Sequence, residues 1–263
     1  MRLVIVGPGR AGGSLGLAAT RAGHEIVGVV ARRPGHGLGP DIGLDERLPQ
    51  CDVAIVAVRD DDIPAVVETL APVVGGAATV AHLSGFVPVA ALNPLHGKDV
   101  AVGGLHPLQS LPDPERGAAA LRGSYAAIDG DPLAVDTLVH LADSLGMIPF
   151  RLDDSARPGY HAAAAASSNF VVTALAVAGD LFAAAGVSPD VSRPLVERVV
   201  ANVFEQGAEA SLTGPISRGD IETVVGHLAA AHQVSEEIGA QFGLMAEATA
   251  IRAGRAEDRR RWR

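Results

Sequence analysis

Arg2-Leu3-Val4-Ile5-Val6-Gly7-Pro8-Gly9-Arg10-Ala11-Gly12 stands almost at the start of the chain and decides the fold. A short apolar run leads into Gly-x-Gly-x-x-Gly, and an amphipathic segment follows. The order predicts strand, tight turn, helix. Gly7 permits the turn, Gly9 leaves the backbone bare where a pyrophosphate approaches, and Gly12 lets the helix pack close to the strand. The helix then offers its free N-terminal N–H groups to phosphate. Gly7, Pro8, Gly9, Arg10, Ala11 and Gly12 are therefore expected to bind a dinucleotide.

The alternation continues outward from this loop. Apolar runs predict strands at 3–6, 25–30, 52–58, 77–83, 99–105, 124–128 and 147–152. Helical patterns fall at 11–22, with Gly23 as C-cap, at 60–70, with Asp60 or Asp61 as N-cap, and at 132–145. Residues 34–49 are rich in Gly, Pro and Asp and read as a loop with at most a short helix. Strands separated by helices imply parallel βαβ units. After Asp153 the pattern turns helical throughout, at 158–185, 191–211, 218–231 and 234–252, with breakers Gly186, Pro189, Gly214 and Pro215 between. The expected fold class is α/β: a doubly wound, parallel Rossmann domain over residues 1–153, then an all-α domain over 154–263.

Composition narrows the function. The 263 residues carry a net charge of −9, which argues against nucleic acid as a partner. The basic run Arg259-Arg260-Arg261-Trp262-Arg263 reads as a solvated terminus. Cys51 is the single cysteine, so no intramolecular disulfide forms and a reducing cytoplasm fits. It stands just before an apolar strand, where burial suits it. The opening apolar run is too short for a signal peptide. The longest apolar stretch, 162–187, is broken by Ser167, Ser168, Asn169 and Asp180, which predicts a buried helix and no membrane span. His227 and His232 are not at i, i+4 spacing, and no metal site is expected. Lys98 is the single lysine, which limits any mechanism that needs one.

The second strand should end in a carboxylate if the ligand is NAD. It ends in Val30-Ala31-Arg32-Arg33 instead. Two guanidinium groups suit a 2′-phosphate, so NADP is expected in preference to NAD, with a solvated loop as the plain alternative for Arg32 and Arg33. Val58, Arg59, Ser84 and Gly85 follow strands and are expected to line the cofactor crevice. His106 also ends a strand, where it can act as an acid or orient a carbonyl. His161 and Ser168 are a heptad apart on one helical face, with Asn169 next to it. Arg218, in Gly214-Pro215-Ile216-Ser217-Arg218-Gly219-Asp220, can clamp a carboxylate or phosphate, while Asp220 caps the next helix.

Three of these motifs occur together and in order: Gly104-Leu105-His106-Pro107-Leu108-Gln109-Ser110, His161 through Asn169, and Leu212 through Asp220. On them the chain resembles the Rossmann-like proteins with a C-terminal domain of unknown function 2520. That family looks like a branch of the group holding pyrroline-5-carboxylate reductase, ketopantoate reductase, prephenate dehydrogenase and the β-hydroxyacid dehydrogenases, with its 6-phosphogluconate dehydrogenase-like helical domain. The resemblance implies an NAD(P)-linked oxidoreductase acting on a small oxo, hydroxy or imino acid in an interdomain cleft. His106 or His161 would handle the proton. Ser168 and Asn169 would hold the reacting oxygen, and Arg218 an acid group. One position departs from the group: Ala165 stands four residues before Asn169, where β-hydroxyacid dehydrogenases and ketopantoate reductases place a lysine. A non-catalytic dinucleotide sensor is the alternative this departure favours. The helical domain holds more apolar helix than one Rossmann face can cover, which predicts a homodimer.

Overall fold

The computed structural model describes residues 1–262, in two compact units divided between Ala165 and Ala166. The first unit contains β1 (Arg2–Val6), α1 (Arg10–Arg21), β2 (Glu25–Val30), β3 (Asp41–Ile42), β4 (Cys51–Val56), α2 (Ile63–Leu70), β5 (Ala77–His82), β6 (Ala101–Leu108), α3 (Pro114–Leu121), β7 (Tyr125–Gly130), α4 (Pro132–Ser144), β8 (Ile148–Arg151) and α5 (Arg157–Ala165). Its strands form one sheet in the order β3-β2-β1-β4-β5-β6-β7-β8. The pairings from β3 across to β6 are parallel, and β1 lies between β2 and β4. The chain order reverses at β1, so the crevice beyond the carboxyl ends of β1 and β4 is the place where a doubly wound sheet takes a ligand.

Both faces of this sheet are covered, which is why its strands read as continuous apolar runs. In β1, Leu3 and Ile5 join a core with Leu15, Ile26, Val53, Ile55, Leu121 and Leu141. Val4 and Val6 point the other way, into a core with Val30, Val56, Ile63, Val67, Leu70, Val80 and Leu92. Cys51 is buried at the start of β4, and burial pushes its thiol up to about 11, far from a reactive thiolate.

Four local expectations need correction. The loop at 34–49 holds the two-residue edge strand β3 and no helix. A 3-10 turn, Asp60–Asp62, precedes α2, so Asp62 takes the N-cap position expected at Asp60 or Asp61. Helix α3 was not expected. It is announced by Asp113, whose carboxylate accepts from the Arg116 N–H at 2.8 Å, and by Pro114 behind it. Finally, β7 runs antiparallel to β6, with Tyr125 opposite Leu108. The chain therefore re-enters the sheet at the end where β6 left it.

The first unit runs on past residue 153. Asp154 and Arg157 bond back to the turn after β5, and that ties α5 to the sheet. The second unit starts with a π-helical turn, Ala166–Phe170, followed by α6 (Val171–Ala184), α7 (Arg193–Gln206), α8 (Ala208–Ser211), α9 (Pro215–Arg218), α10 (Ile221–Val234) and α11 (Glu236–Arg252). Here α6, α10 and α11 pack together. The helical stretch Asp154–Ala184 has the length and mean hydropathy of a membrane span, and the expectation that it is buried fails: Val177 is the buried residue of α6, while Phe170 is 68% and Val172 66% exposed. Of the basic run expected as a solvated terminus, residues 259–261 are structured, and Arg263 lies outside the described residues. Residues 256–261 form a 3-10 segment on α11, with Asp258 buried between Arg255 and Arg261.

Candidate functional site

The glycine loop has the geometry its spacing predicts. Gly7 has φ +92°, and a Cβ there would lie 2.8 Å from the Ala57 carbonyl oxygen. A Cβ on Gly12 would collide with the Gly7 carbonyl oxygen. Gly9, the N-cap of α1, differs: a Cβ there would meet nothing within 4 Å. Two glycines are thus required by the protein, and the third faces open space at a helix N-terminus, where phosphate is stabilised by free N–H groups and the helix dipole. Pro8, Arg10 and Ala11 complete the turn. Beyond β2, Arg32 and Arg33 are exposed. Arg32 pairs with Asp62 at 3.3 Å with its side chain 90% exposed, a contact weak enough to exchange for a phosphate. Val58, two residues past the end of β4, packs against Gly7, and Arg59 is exposed beside it.

Ser84 and Gly85, expected to line the crevice, are buried and turned to the protein. The Ser84 hydroxyl accepts from the N–H groups of Phe86 and Val87 at 3.1 and 2.9 Å. Gly85 packs against His106, and a Cβ there would lie 2.8 Å from Nε2.

His106, on β6, is the centre of a cluster. Its Nδ1 lies 2.8 Å from the Tyr160 hydroxyl, and the two rings meet edge-on at 5.5 Å. The His161 ring is 6.1 Å away, and it contacts Phe86 in turn at 6.0 Å. Tyr160 and His161 arrive on α5, which Arg157 fastens. The Arg157 side chain is fully buried: Nε donates to Asp154 at 2.7 Å and a terminal nitrogen donates to the Ser84 carbonyl at 3.1 Å. Asp154 also accepts from the Val89 N–H at 2.9 Å. Burial raises the Asp154 carboxyl, but the Val89 N–H and Arg157 outweigh it and hold the group below the usual range.

Burial and this cation act together on the imidazoles. His82, fully buried on β5, is pushed down to about 4 by desolvation and by Arg157. His106 is pushed down to about 4 by desolvation, by His161 and by Arg157. Burial raises the Tyr160 phenol to about 12. At neutral pH His82 and His106 are uncharged and Tyr160 keeps its proton. An uncharged histidine beside a protonated phenol can donate or accept a hydrogen bond at a reacting atom, and it is a poor source of a full proton.

Residues 124–249 match the family model described as a domain of unknown function, DUF2520. The match covers slightly less than half of the chain. It begins at β7, so the glycine loop and His106 lie ahead of it, while Arg157, Tyr160 and His161 lie within it. No curated protein matches the chain in sequence. Solved structures do match in fold. A Bacteroides fragilis protein with the provisional name NADP oxidoreductase superposes with a TM-score of 0.82 at 23% identity, over 95% of this chain and 98% of that one. Plasmodium falciparum pyrroline carboxylate reductase, solved with NADP bound, gives 0.65 at 13% identity over 96% and 98%. An imine reductase from Myxococcus stipitatus, in complex with NADP+, gives 0.66 at 14% identity over 97% and 96%. At these identities the likeness is one of fold: an N-terminal Rossmann sheet followed by helices.

Ser168, Asn169 and Arg218 also fall within the DUF2520 match, in the second unit. Ser168 and Asn169 are exposed on the π-helical turn, and that turn breaks the heptad spacing that put His161 and Ser168 on one face. Arg218 closes α9 and pairs with Asp220 at 2.8 Å. Asp220 takes the N-cap position of α10 but makes no side-chain cap bond. Sequence reasoning missed Arg157, Asp154, His82 and the part played by Tyr160. The usable signal was rarity, since Tyr160 is one of two tyrosines in the chain and adjoins a histidine.

Proposed function

We propose that this protein is an NADP-dependent oxidoreductase acting on a small oxo, hydroxy or imino acid. One observation carries the reading. The loop Gly7–Gly12 leaves open space at Gly9 on a helix N-terminus, and the same sheet positions His106 with a hydroxyl partner. The residues fit the dinucleotide. Gly7, Pro8, Gly9, Arg10, Ala11 and Gly12 would hold the pyrophosphate, and Arg32 and Arg33 the 2′-phosphate, with no carboxylate at Ala31 to favour the ribose of NAD. Val58 and Arg59 would flank the cofactor. The bound nicotinamide supplies or accepts a hydride. The protein's own groups orient the reacting atom: His106 and His161 hold or pass a hydrogen there, and Gly85, in the turn that Ser84 holds, packs against the face of the His106 ring. The substrate roles read for Ser168, Asn169 and Arg218 stand as proposals on the second unit, each tested by the KM of its alanine variant.

Two assays test the reading. In a titration, NADPH should bind more tightly than NADH, and the double variant R32A/R33A should lose about 10-fold or more for NADPH with NADH unchanged. In a panel of small oxo acids and cyclic imines, turnover with NADPH should fall about 100-fold or more in His106→Ala. Equal affinity for both cofactors removes the NADP assignment. Binding of NADPH with no turnover across the panel supports the second reading, a dinucleotide sensor, which Ala165 at the usual lysine position favours.

We further propose a homodimer formed through the second unit. None of the 14 residues of α7 is buried, although Leu195, Val199, Val200 and Val203 recur at helical spacing and Phe204 is 87% exposed. An apolar face of this extent on an isolated chain marks an interface. A reducing cytoplasm remains the proposed location, on the single cysteine.

A further inference from the structure

We propose that Tyr160 is a positioning residue that holds His106 as the tautomer with its hydrogen on Nε2, so that the ring offers one N–H to the lone pair of a carbonyl oxygen or imine nitrogen. The inference rests on the oxidoreductase reading for what enters the site. The tautomer itself is a property of the chain alone.

The geometry gives the direction of the hydrogen bond. Only one hydrogen lies between the Tyr160 oxygen and Nδ1, which are 2.8 Å apart. A phenol O–H is a stronger donor than a neutral imidazole N–H, and a bare imidazole nitrogen is a stronger acceptor than a phenol oxygen. The hydrogen therefore runs from Tyr160 to Nδ1, and the ring carries its own hydrogen on Nε2. The low proton affinity of His106, set by burial, His161 and buried Arg157, keeps the ring from taking a second hydrogen at neutral pH.

The surroundings leave the other nitrogen available. Among the described residues His106 makes one hydrogen bond, the one at Nδ1. Gly85 packs over the face of the ring at its Nε2 end, where a side chain would lie 2.8, 2.9 and 3.0 Å from Nε2, Cε1 and Cδ2, so it does not occupy the in-plane direction of the Nε2 hydrogen. The dyad is also rigid. Arg157 bonds both Asp154 on the approach to α5 and the Ser84 carbonyl beside Gly85, so the element carrying Tyr160 and the turn packed on the face of the His106 ring are fixed to one side chain. The N–H is donated as a hydrogen bond and stays on the ring. It polarises the acceptor atom, as a preorganised donor does wherever negative charge develops in a transition state.

Nitrogen-15 NMR of the labelled full chain at pH 7 tests this without substrate, with the His106 signals assigned by their loss in His106→Gln. The expected result is the Nε2–H pattern in the wild type and a mixture of tautomers in Tyr160→Phe, with circular dichroism confirming that the variant is folded. The Nδ1–H pattern in the wild type overturns the proposal, and so does a Tyr160→Phe spectrum with the tautomer unchanged. If Tyr160→Phe does not fold, the wild-type pattern alone decides the assignment, and the kinetics decide the role of Nε2. A Gln amide reaches towards the place of Nε2 and an Asn amide towards that of Nδ1, so His106→Gln should keep about 10-fold more kcat than His106→Asn, with similar KM. Equal loss in both overturns the role of Nε2. If no substrate turns over, the oxidoreductase reading fails while the NMR result still settles the tautomer.

Discussion

At the scale of the residue, the three loop glycines separate protein from ligand. Gly12→Ala places a methyl against the Gly7 carbonyl, where something must shift, and the cost is of the overpacking kind, about 1–3 kcal/mol. Gly9→Ala meets nothing in the protein. It should leave the urea midpoint within experimental error and weaken NADPH binding by about 10-fold or more, because its methyl occupies the approach of the pyrophosphate. A Gly9→Ala variant that binds NADPH normally would remove the loop from the cofactor site. Gly7 and Gly12 were legible from spacing alone, since each fills a backbone role that only glycine fills, while the ligand role proposed for Gly9 is what the variant tests. Arg157 was not. A guanidinium in a sequence reads as surface, and nothing local announces that Asp154 and the Ser84 carbonyl will enclose it. Tyr160 and His106 are 54 residues apart, and their hydrogen bond exists only once α5 is docked on the sheet.

At the scale of the element, the buried parallel strands were read almost residue for residue. β2 was expected at 25–30 and is found at Glu25–Val30, because a strand covered on both faces is a plain apolar run. The elements misread were those whose signal is geometric. The direction of β7 is not written in its apolar run, and the π-helical turn at Ala166–Phe170 leaves no trace in hydrophobic period. α7 supplies the prediction of this scale. Its apolar stripe has no cover among the described residues, so Phe204→Glu should place a charge in the proposed dimer interface and shift the protein to monomer in light scattering, with far-UV dichroism unchanged. A wild type that scatters as a monomer at micromolar concentration refutes the dimer.

For the whole molecule, the buried imidazoles set the response to acid. His82 and His106 titrate near 6.5 when the chain is unfolded and near 4 when it is folded. The unfolded state therefore binds protons first as pH falls. Their contribution to stability is complete above pH 6.5, is lost progressively between 6.5 and about 4, and levels off below. Fully buried His82 accounts for at most about 3 kcal/mol, and His106, which keeps some solvent, for less. Urea unfolding across this range should show the decline, and His82→Leu should flatten it. A profile with no slope between pH 6.5 and 4 would mean that both rings take up protons in the folded protein as readily as in the unfolded chain. The two-unit plan was visible in the shift from alternating to helical pattern, whereas the tie of α5 to the first unit depends on bonds no pattern encodes. Lys98 has a different use. It is exposed and carries the only side-chain amine in the sequence, on the stretch between the 3-10 helix Val89–Leu95 and β6. A fluorophore directed at amines will attach to the first unit at that one side chain and at the Met1 amine, so the native protein accepts an optical reporter without any substitution.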